Sequence, residues 1–186
     1  MDGTLTNSAH DFEMMRRELG LAAEAPILEA LQSMDQTVAA PLWEKLNDLE
    51  FHFAGLASVM AGAAELLESL YQRGIRPGIL TRNTMPVVEQ TLRACNLADF
   101  FHPDDILDRD ACAPKPSPDG ILKLLSNWQA DASDSVMVGD FLYDLKAGRD
   151  AGVTTIHINP RGDYAWPEFT DFGISNLGQI QAVFEQ

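Results

Sequence analysis

The chain has 186 residues, 46% of them apolar, which is enough for one domain with an insertion and for a sizeable buried core. Its 13 Lys and Arg against 28 Asp and Glu leave a net charge of −15 with no basic patch to offset it, so phosphate backbones repel it and nucleic acid is excluded as an expected partner. No apolar run approaches membrane-spanning length and no charged segment leads into an apolar one at the start, so neither a membrane span nor a secretion signal is expected.

In chain order, the opening residues Met1-Asp2-Gly3-Thr4-Leu5-Thr6 read as a turn, and from Ser8 the pattern becomes helical. Phe12, Met15 and Leu19 recur at helical spacing behind a cap at Asn7 or Ser8, with Gly20 as the stop. Pro26 opens a second helix carrying Ile27, Leu28 and Leu31, and Pro41 is expected to open a third with Leu42, Trp43, Leu46, Leu49 and Phe53 as its stripe. No strand signal interrupts this stretch. Met14, Met15, Met34 and Trp43 read as packing residues rather than a ligand box, and His10, His52, Arg16 and Arg17 take packing or solvated positions by default.

After Gly62 helices and strands alternate. Residues 63–72 read as a helix ended by Gly74, and 75–80 as a strand with Pro77 where it begins and regular pairing from Gly78. Thr84 is expected to cap a helix with Pro86 in its first turn, and 105–107 is a short strand. A helix over 118–128, strands over 136–138 and 154–158, and a closing helix over 176–184 follow. Such alternation predicts an α/β fold with a doubly wound parallel-sheet, Rossmann-like core, whose ligands bind beyond the carboxyl ends of the strands.

Three stretches fall at those ends, and the opening residues Asp2-Gly3-Thr4 make a fourth. Val136-Met137-Val138-Gly139 delivers Asp140, and Asp144 follows one helical turn later, so two carboxylates share one strand end. Burying like charges there is costly without a cation, and hard oxygen donors suit Mg²⁺. Ile79-Leu80-Thr81 is an apolar strand ending in a hydroxyl, with Arg82 and Asn83 next to it. Pro114-Lys115-Pro116-Ser117-Pro118 holds one lysine in a loop stiffened by prolines. Each has a plain alternative, respectively a helix cap, a β-branched strand end and a surface lysine. His102 and His157 lack a ligand constellation and read as structural, and Cys95 and Cys112 have no metal or redox spacing and fit a reducing, cytoplasmic compartment.

Taken in order, Asp2-Gly3-Thr4-Leu5-Thr6, Ile79-Leu80-Thr81, Lys115 among its prolines and Gly139-Asp140-x-x-x-Asp144 resemble the four motifs of the haloacid dehalogenase-like (HAD) hydrolase superfamily. The likeness is to the branch with a small all-helical cap inserted after the first motif, and within it to phosphoglycolate phosphatase-like phosphatases. It implies an α/β core over 1–7 and 58–186 and a cap over 8–57. It also implies Mg²⁺-dependent hydrolysis of a small phosphorylated metabolite through an aspartyl phosphate. In the family pattern Asp2 is the general acid and base, and Thr81 and Lys115 are catalytic groups that bind phosphate with help from the backbone amides of Arg82 and Asn83. The metal falls to Asp140, Asp144 and the Asp2 carbonyl. The family's nucleophilic Asp stands one position before Met1, so an upstream apolar strand ending in Asp is expected, and without it little turnover. A phosphosugar mutase resembling β-phosphoglucomutase and a non-catalytic phosphate-binding or interaction module are the alternatives. The motifs leave the substrate and the oligomeric state open.

Overall fold

The computed structural model describes residues 1–183. Strand β1 (Thr6–Asn7) pairs antiparallel with β2 (Ser58–Val59), which brackets the helices α1 (Phe12–Glu18), α2 (Ile27–Gln32) and α3 (Gln36–Ala54) between two closely placed chain ends. These helices close on a small core of their own, with Met15, Leu19, Leu31 and Leu46 buried and Met14, Met34, Trp43 and Phe53 packed around it. Asp11, not Ser8, caps α1 by accepting from the Met14 N–H at 2.8 Å. Helix α3 starts earlier than Pro41 predicts, because Asp35 accepts from the Thr37 N–H at 2.9 Å and caps it there. Pro41 then lies inside the helix, where it removes one backbone donor near the amino end.

Beyond α4 (Ala63–Gln72) the chain alternates through β3 (Ile79–Leu80), α5 (Met85–Ala94), β4 (Ile106–Leu107), α6 (Asp119–Trp128), β5 (Val136–Gly139), α7 (Leu142–Ala151), β6 (Thr154–Ile158), β7 (Phe172–Ile174) and α8 (Ile180–Val183). All ladders in this part are parallel: β3 with β4, β5 with β6, and β6 with β7. Helices cover both faces, as a parallel sheet requires. On one, α6 and α7 pack Leu124, Leu125 and Ala147 against Leu80 and Leu107. On the other, α4 and α8 pack Leu66 and Ile180 against Ile156 and Ile158, while α5 sets Val88 and Leu92 against Ile79.

The sheet is in two parts, β3-β4 and β5-β6-β7. Between them lies a cavity of about 650 Å³, lined mainly by apolar side chains including Leu67, Ile79, Leu80, Leu125 and Val138, with Met1 and Thr4 at its border. The split explains why β3 is two residues long rather than the six expected: it has a partner only on the β4 side, and Pro77 and Gly78 stay outside the ladder. The expected closing helix is a 3₁₀ turn over Leu177–Gln179 followed by α8, and Phe184 lies outside the described residues. Strand β7 is an addition that the sequence pattern did not predict. Among the described residues no helix is long and apolar enough to cross a membrane.

Candidate active site

Asp2, Thr81, Lys115, Asp140 and Asp144 come together at the carboxyl ends of β3 and β5, where the two halves of the sheet face each other. Asp140 follows β5 directly, and its Oδ1 accepts from the Thr4 hydroxyl at 3.0 Å. That bond needs the opening loop to pass very close. Gly3 has φ +73°, and a Cβ there would sit 2.2 Å from Asp140 Oδ2, so both the left-handed backbone and the missing side chain are required. Burial first, and Asp144 second, push the Asp140 carboxyl above its ordinary value.

Asp144, in the first turn of α7, commits both oxygens. Oδ1 accepts from Lys115 Nζ at 2.5 Å and Oδ2 from the Phe141 N–H at 3.1 Å. Gly139 makes room for it, since a Cβ at residue 139 would come within 2.1 Å of the Asp144 Cβ. The Lys115 and Asp144 side chains are 9% and 10% exposed, and the ammonium also donates to the Leu80 carbonyl at 2.8 Å, so it bridges the two halves of the sheet. A lysine buried to this extent needs such partners, and a surface position is ruled out for it.

Asp2 lies opposite, at the foot of the helical insert. Its Oδ2 accepts from Asn83 Nδ2 at 2.6 Å and its Oδ1 from the Thr6 hydroxyl at 3.3 Å. Asp2 reaches two groups of the insert electrostatically: it opposes the burial that lowers the His10 pKa and adds to the burial that raises the Glu50 pKa. Thr81 is buried, and its hydroxyl accepts from the Asn83 N–H at 3.2 Å.

The side chains of Arg82 and Asn83, whose backbone amides are the expected donors, serve other contacts. The Arg82 side chain turns away from the cluster, pairs with Glu29 of α2 and lies 5.6 Å from the Tyr143 ring centroid. Asn83 directs its side chain to Asp2 rather than to the space beside Thr81. Sequence reasoning missed Thr4, Asn83 as the partner of Asp2, and the buried pair of Glu50 with Arg109 at 2.6 Å. Thr4 stands within a recognised motif and was open to discovery. The other pairs are 81 and 59 residues apart in sequence and gave no local signal.

Residues 11–158 match the haloacid dehalogenase-like hydrolase family. The chain belongs to that family. A HAD-like hydrolase domain-containing protein of Arabidopsis thaliana is 30% identical over 100% of this chain and 81% of its own length. A phosphoglycolate phosphatase of Vibrio parahaemolyticus is 26% identical over 98% of this chain and 94% of its own length. Among solved structures, a hydrolase from Pseudomonas syringae superposes with a TM-score of 0.79 over 99% of this chain and 95% of its own, at 22% identity, a likeness of fold alone. The protein is therefore a HAD-family enzyme with a Rossmann-like core, and the converging motif residues stand where such a core binds its ligands.

Proposed function

We propose that the protein hydrolyses the phosphomonoester of a small metabolite with Mg²⁺ and an aspartyl-phosphate intermediate. The observation that carries this reading is the convergence of Lys115, Thr81, Asp2 and Asp140 from four separate segments on one end of the sheet. Lys115 balances phosphoryl charge as a compact cation, held in place by Asp144 and the Leu80 carbonyl. Thr81 donates its hydroxyl proton to a phosphoryl oxygen while its oxygen accepts from the Asn83 N–H, and the backbone amides of Arg82 and, once turned from Thr81, of Asn83 supply further donors. Asp2 protonates the leaving alkoxide and later removes the proton of the attacking water.

The donor set fits Mg²⁺. Asp140 and the Asp2 main-chain carbonyl are hard oxygens, and Mg²⁺ is usually held by one or two carboxylates, with waters and substrate oxygens completing the shell. The cost of keeping Asp140 ionised beside Asp144 is relieved by a cation there. Bound Mg²⁺ supplies charge neutralisation to the phosphoryl group, and Asp144, with both oxygens engaged, acts through Lys115 and the Phe141 turn.

The nucleophile is proposed to be a carboxylate at the carboxyl end of a strand occupying the cavity between β3 and β5, where such a strand pairs with both halves of the sheet and ends beside Met1 and Asp2. The cavity's apolar lining and its two flanking strand edges support this. Residues 8–57 act as a helical cap over an α/β core formed by 1–7 and 58–186. The substrate is a small phosphorylated molecule, and the free thiols of Cys95 and Cys112 fit a cytoplasmic setting. The test is release of 4-nitrophenol from its phosphate ester by the chain extended ahead of Met1 with an apolar strand ending in Asp. Turnover that requires Mg²⁺ and is lost when that Asp is replaced by Asn is expected. Turnover that is indifferent to chelator, or to that replacement, overturns the reading.

A further inference from the structure

Glu50 is a glutamate on α3 buried to 8% exposure, facing the core rather than solvent. Its Oε2 accepts from Arg109 Nη2 at 2.6 Å, and the Arg109 guanidinium also lies 5.9 Å from the ring centroid of Trp43, two turns earlier on the same helix. Burial raises the Glu50 pKa more than Arg109 lowers it, as expected where desolvation outweighs attraction. Such a pair adds little stability over apolar packing, so its place at the boundary between insert and core calls for another use.

The rest of Arg109 shows what that use is. Its Nε donates to the Arg82 carbonyl at 2.9 Å, and its backbone N–H donates to the Asn83 carbonyl at 2.9 Å. One residue thereby clamps both peptide carbonyls of the turn that follows Thr81. Asn83, the last residue held, grips Asp2 Oδ2 at 2.6 Å. The second insert helix reaches the same turn from the other side through the Glu29 and Arg82 pair. A continuous run of hydrogen bonds therefore links α3 to the Asp2 carboxylate through Arg109 and Asn83.

We propose that Arg109 is a positioning residue: seated by Glu50 and Trp43 of the helical insert, it fixes the Arg82–Asn83 turn so that Asn83 holds Asp2 in its working orientation. The acid and base is then set only while the insert is docked on the core. The catalytic part of this inference rests on the reading of Asp2 given above, whereas the structural coupling does not.

The experiment follows the side-chain amide resonances of Asn83 in ¹⁵N-labelled chain. Asp2→Ala marks where they fall when the bond to the carboxylate is lost, and Arg93→Ala, at an exposed ion pair with Glu89, is the control. Glu50→Leu, which removes the acceptor for Arg109, and Arg109→Lys are expected to move the Asn83 resonances toward the Asp2→Ala positions while the control leaves them in place. Glu50→Leu fills the buried position with an apolar side chain of similar size and so preserves the fold if Arg109→Lys does not. Resonances unmoved in folded Glu50→Leu overturn the proposal. In the strand-extended chain, Arg109→Lys is expected to lower kcat by about 10- to 100-fold at little changed KM, as loss of an outer supporting contact does. A loss confined to KM overturns the positioning role. Absence of turnover in every variant refutes the phosphatase reading instead, and the amide shifts still decide the coupling.

Discussion

Extending the chain ahead of Met1 by five β-branched apolar residues and an Asp should close the sheet. A five-residue strand spans about 17 Å and, with helices on both faces, buries every side chain. At about 2 kcal/mol for each fully buried apolar side chain, the gross gain is about 10 kcal/mol. Ordering five residues at about 1.5 kcal/mol each takes back about 7.5 kcal/mol, leaving about 2.5 kcal/mol before any hydrogen bonds are counted. Ladder bonds to β3 and β5 add about 0.5–1.5 kcal/mol each. For a chain of this size 1 kcal/mol moves Tm by about 2–4 °C, so a rise of at least about 5–10 °C is expected. Calorimetry reads the Tm, and hydrogen exchange reads the amides of Ile79, Leu80 and residues 136–139, which should slow together. An unchanged Tm with unslowed exchange at both edges would show that the cavity is not a strand site, and the proposed location of the nucleophile would fall with it.

In that extended chain, Asp2→Asn should lower kcat by about 10²–10⁴-fold, the usual worth of a general acid and base, with the fold intact by circular dichroism. Thr81→Val should cost about 10²-fold by removing one phosphoryl donor while leaving the buried strand end packed, which steady-state kinetics would detect. Lys115→Ala leaves Asp144 buried without its cation and should cost about 3 kcal/mol, visible in urea unfolding, whereas Lys115→Met combined with Asp144→Asn should recover most of that. Asp140→Asn should abolish the Mg²⁺ response yet raise Tm at pH 7. The Asp140 pKa is raised in the folded state, so the stability its protonated form confers is complete below the ordinary value of 3.8 and is lost as pH rises through the folded pKa. The wild type carries that penalty at neutral pH and the variant does not, so the gain in Tm should shrink as pH is lowered toward 4. A gain independent of pH would refute burial as its cause.

The alternation of elements after Gly62 was legible because a parallel strand covered on both faces leaves a short apolar run, and an amphipathic helix leaves a period near 3.6. The α4, α5, α6, β5 and β6 segments all carry those marks. The short elements did not. Strand β7 is three residues with a glycine at its centre, and its place is set by pairing Phe172 and Ile174 with Ile156 and Ile158 of β6, which is a tertiary fact. Helix α3 was misplaced at its start because Pro41 looks like a first-turn residue, while Asp35, an unremarkable acid in sequence, supplies the cap. A local start signal was outweighed by an earlier cap and by the burial of Ala39 and Leu46 on the same helix.

For the site, the division follows the same physics. Lys115, Thr81, Asp140 and Asp144 could be grouped from sequence because a doubly wound sheet brings all its carboxyl strand ends to one edge, so position along the chain predicts position in space. What sequence could not supply is which donor meets which acceptor once they arrive. Asp144 was expected to hold a metal-bound water or to stand behind the metal, and the structure adds that its two oxygens accept from Lys115 and the Phe141 N–H, because a lysine 9% exposed must find an anion within reach. Arg82 and Asn83 were expected to offer their backbone amides, and sequence held no sign that the Arg82 side chain pairs with Glu29 of the insert. Each pair neutralises a charge, Lys115 within the cluster and Arg82 turned away from it. In a chain of net charge −15 the cations are few, and the site they serve is where Lys115, Arg82 and Arg109 are all held by acids. A phosphoryl group entering that space therefore meets cations already fixed in position, and must compete with Asp144 for Lys115, so binding and release of phosphate should be coupled to movement of that one ammonium between two anions.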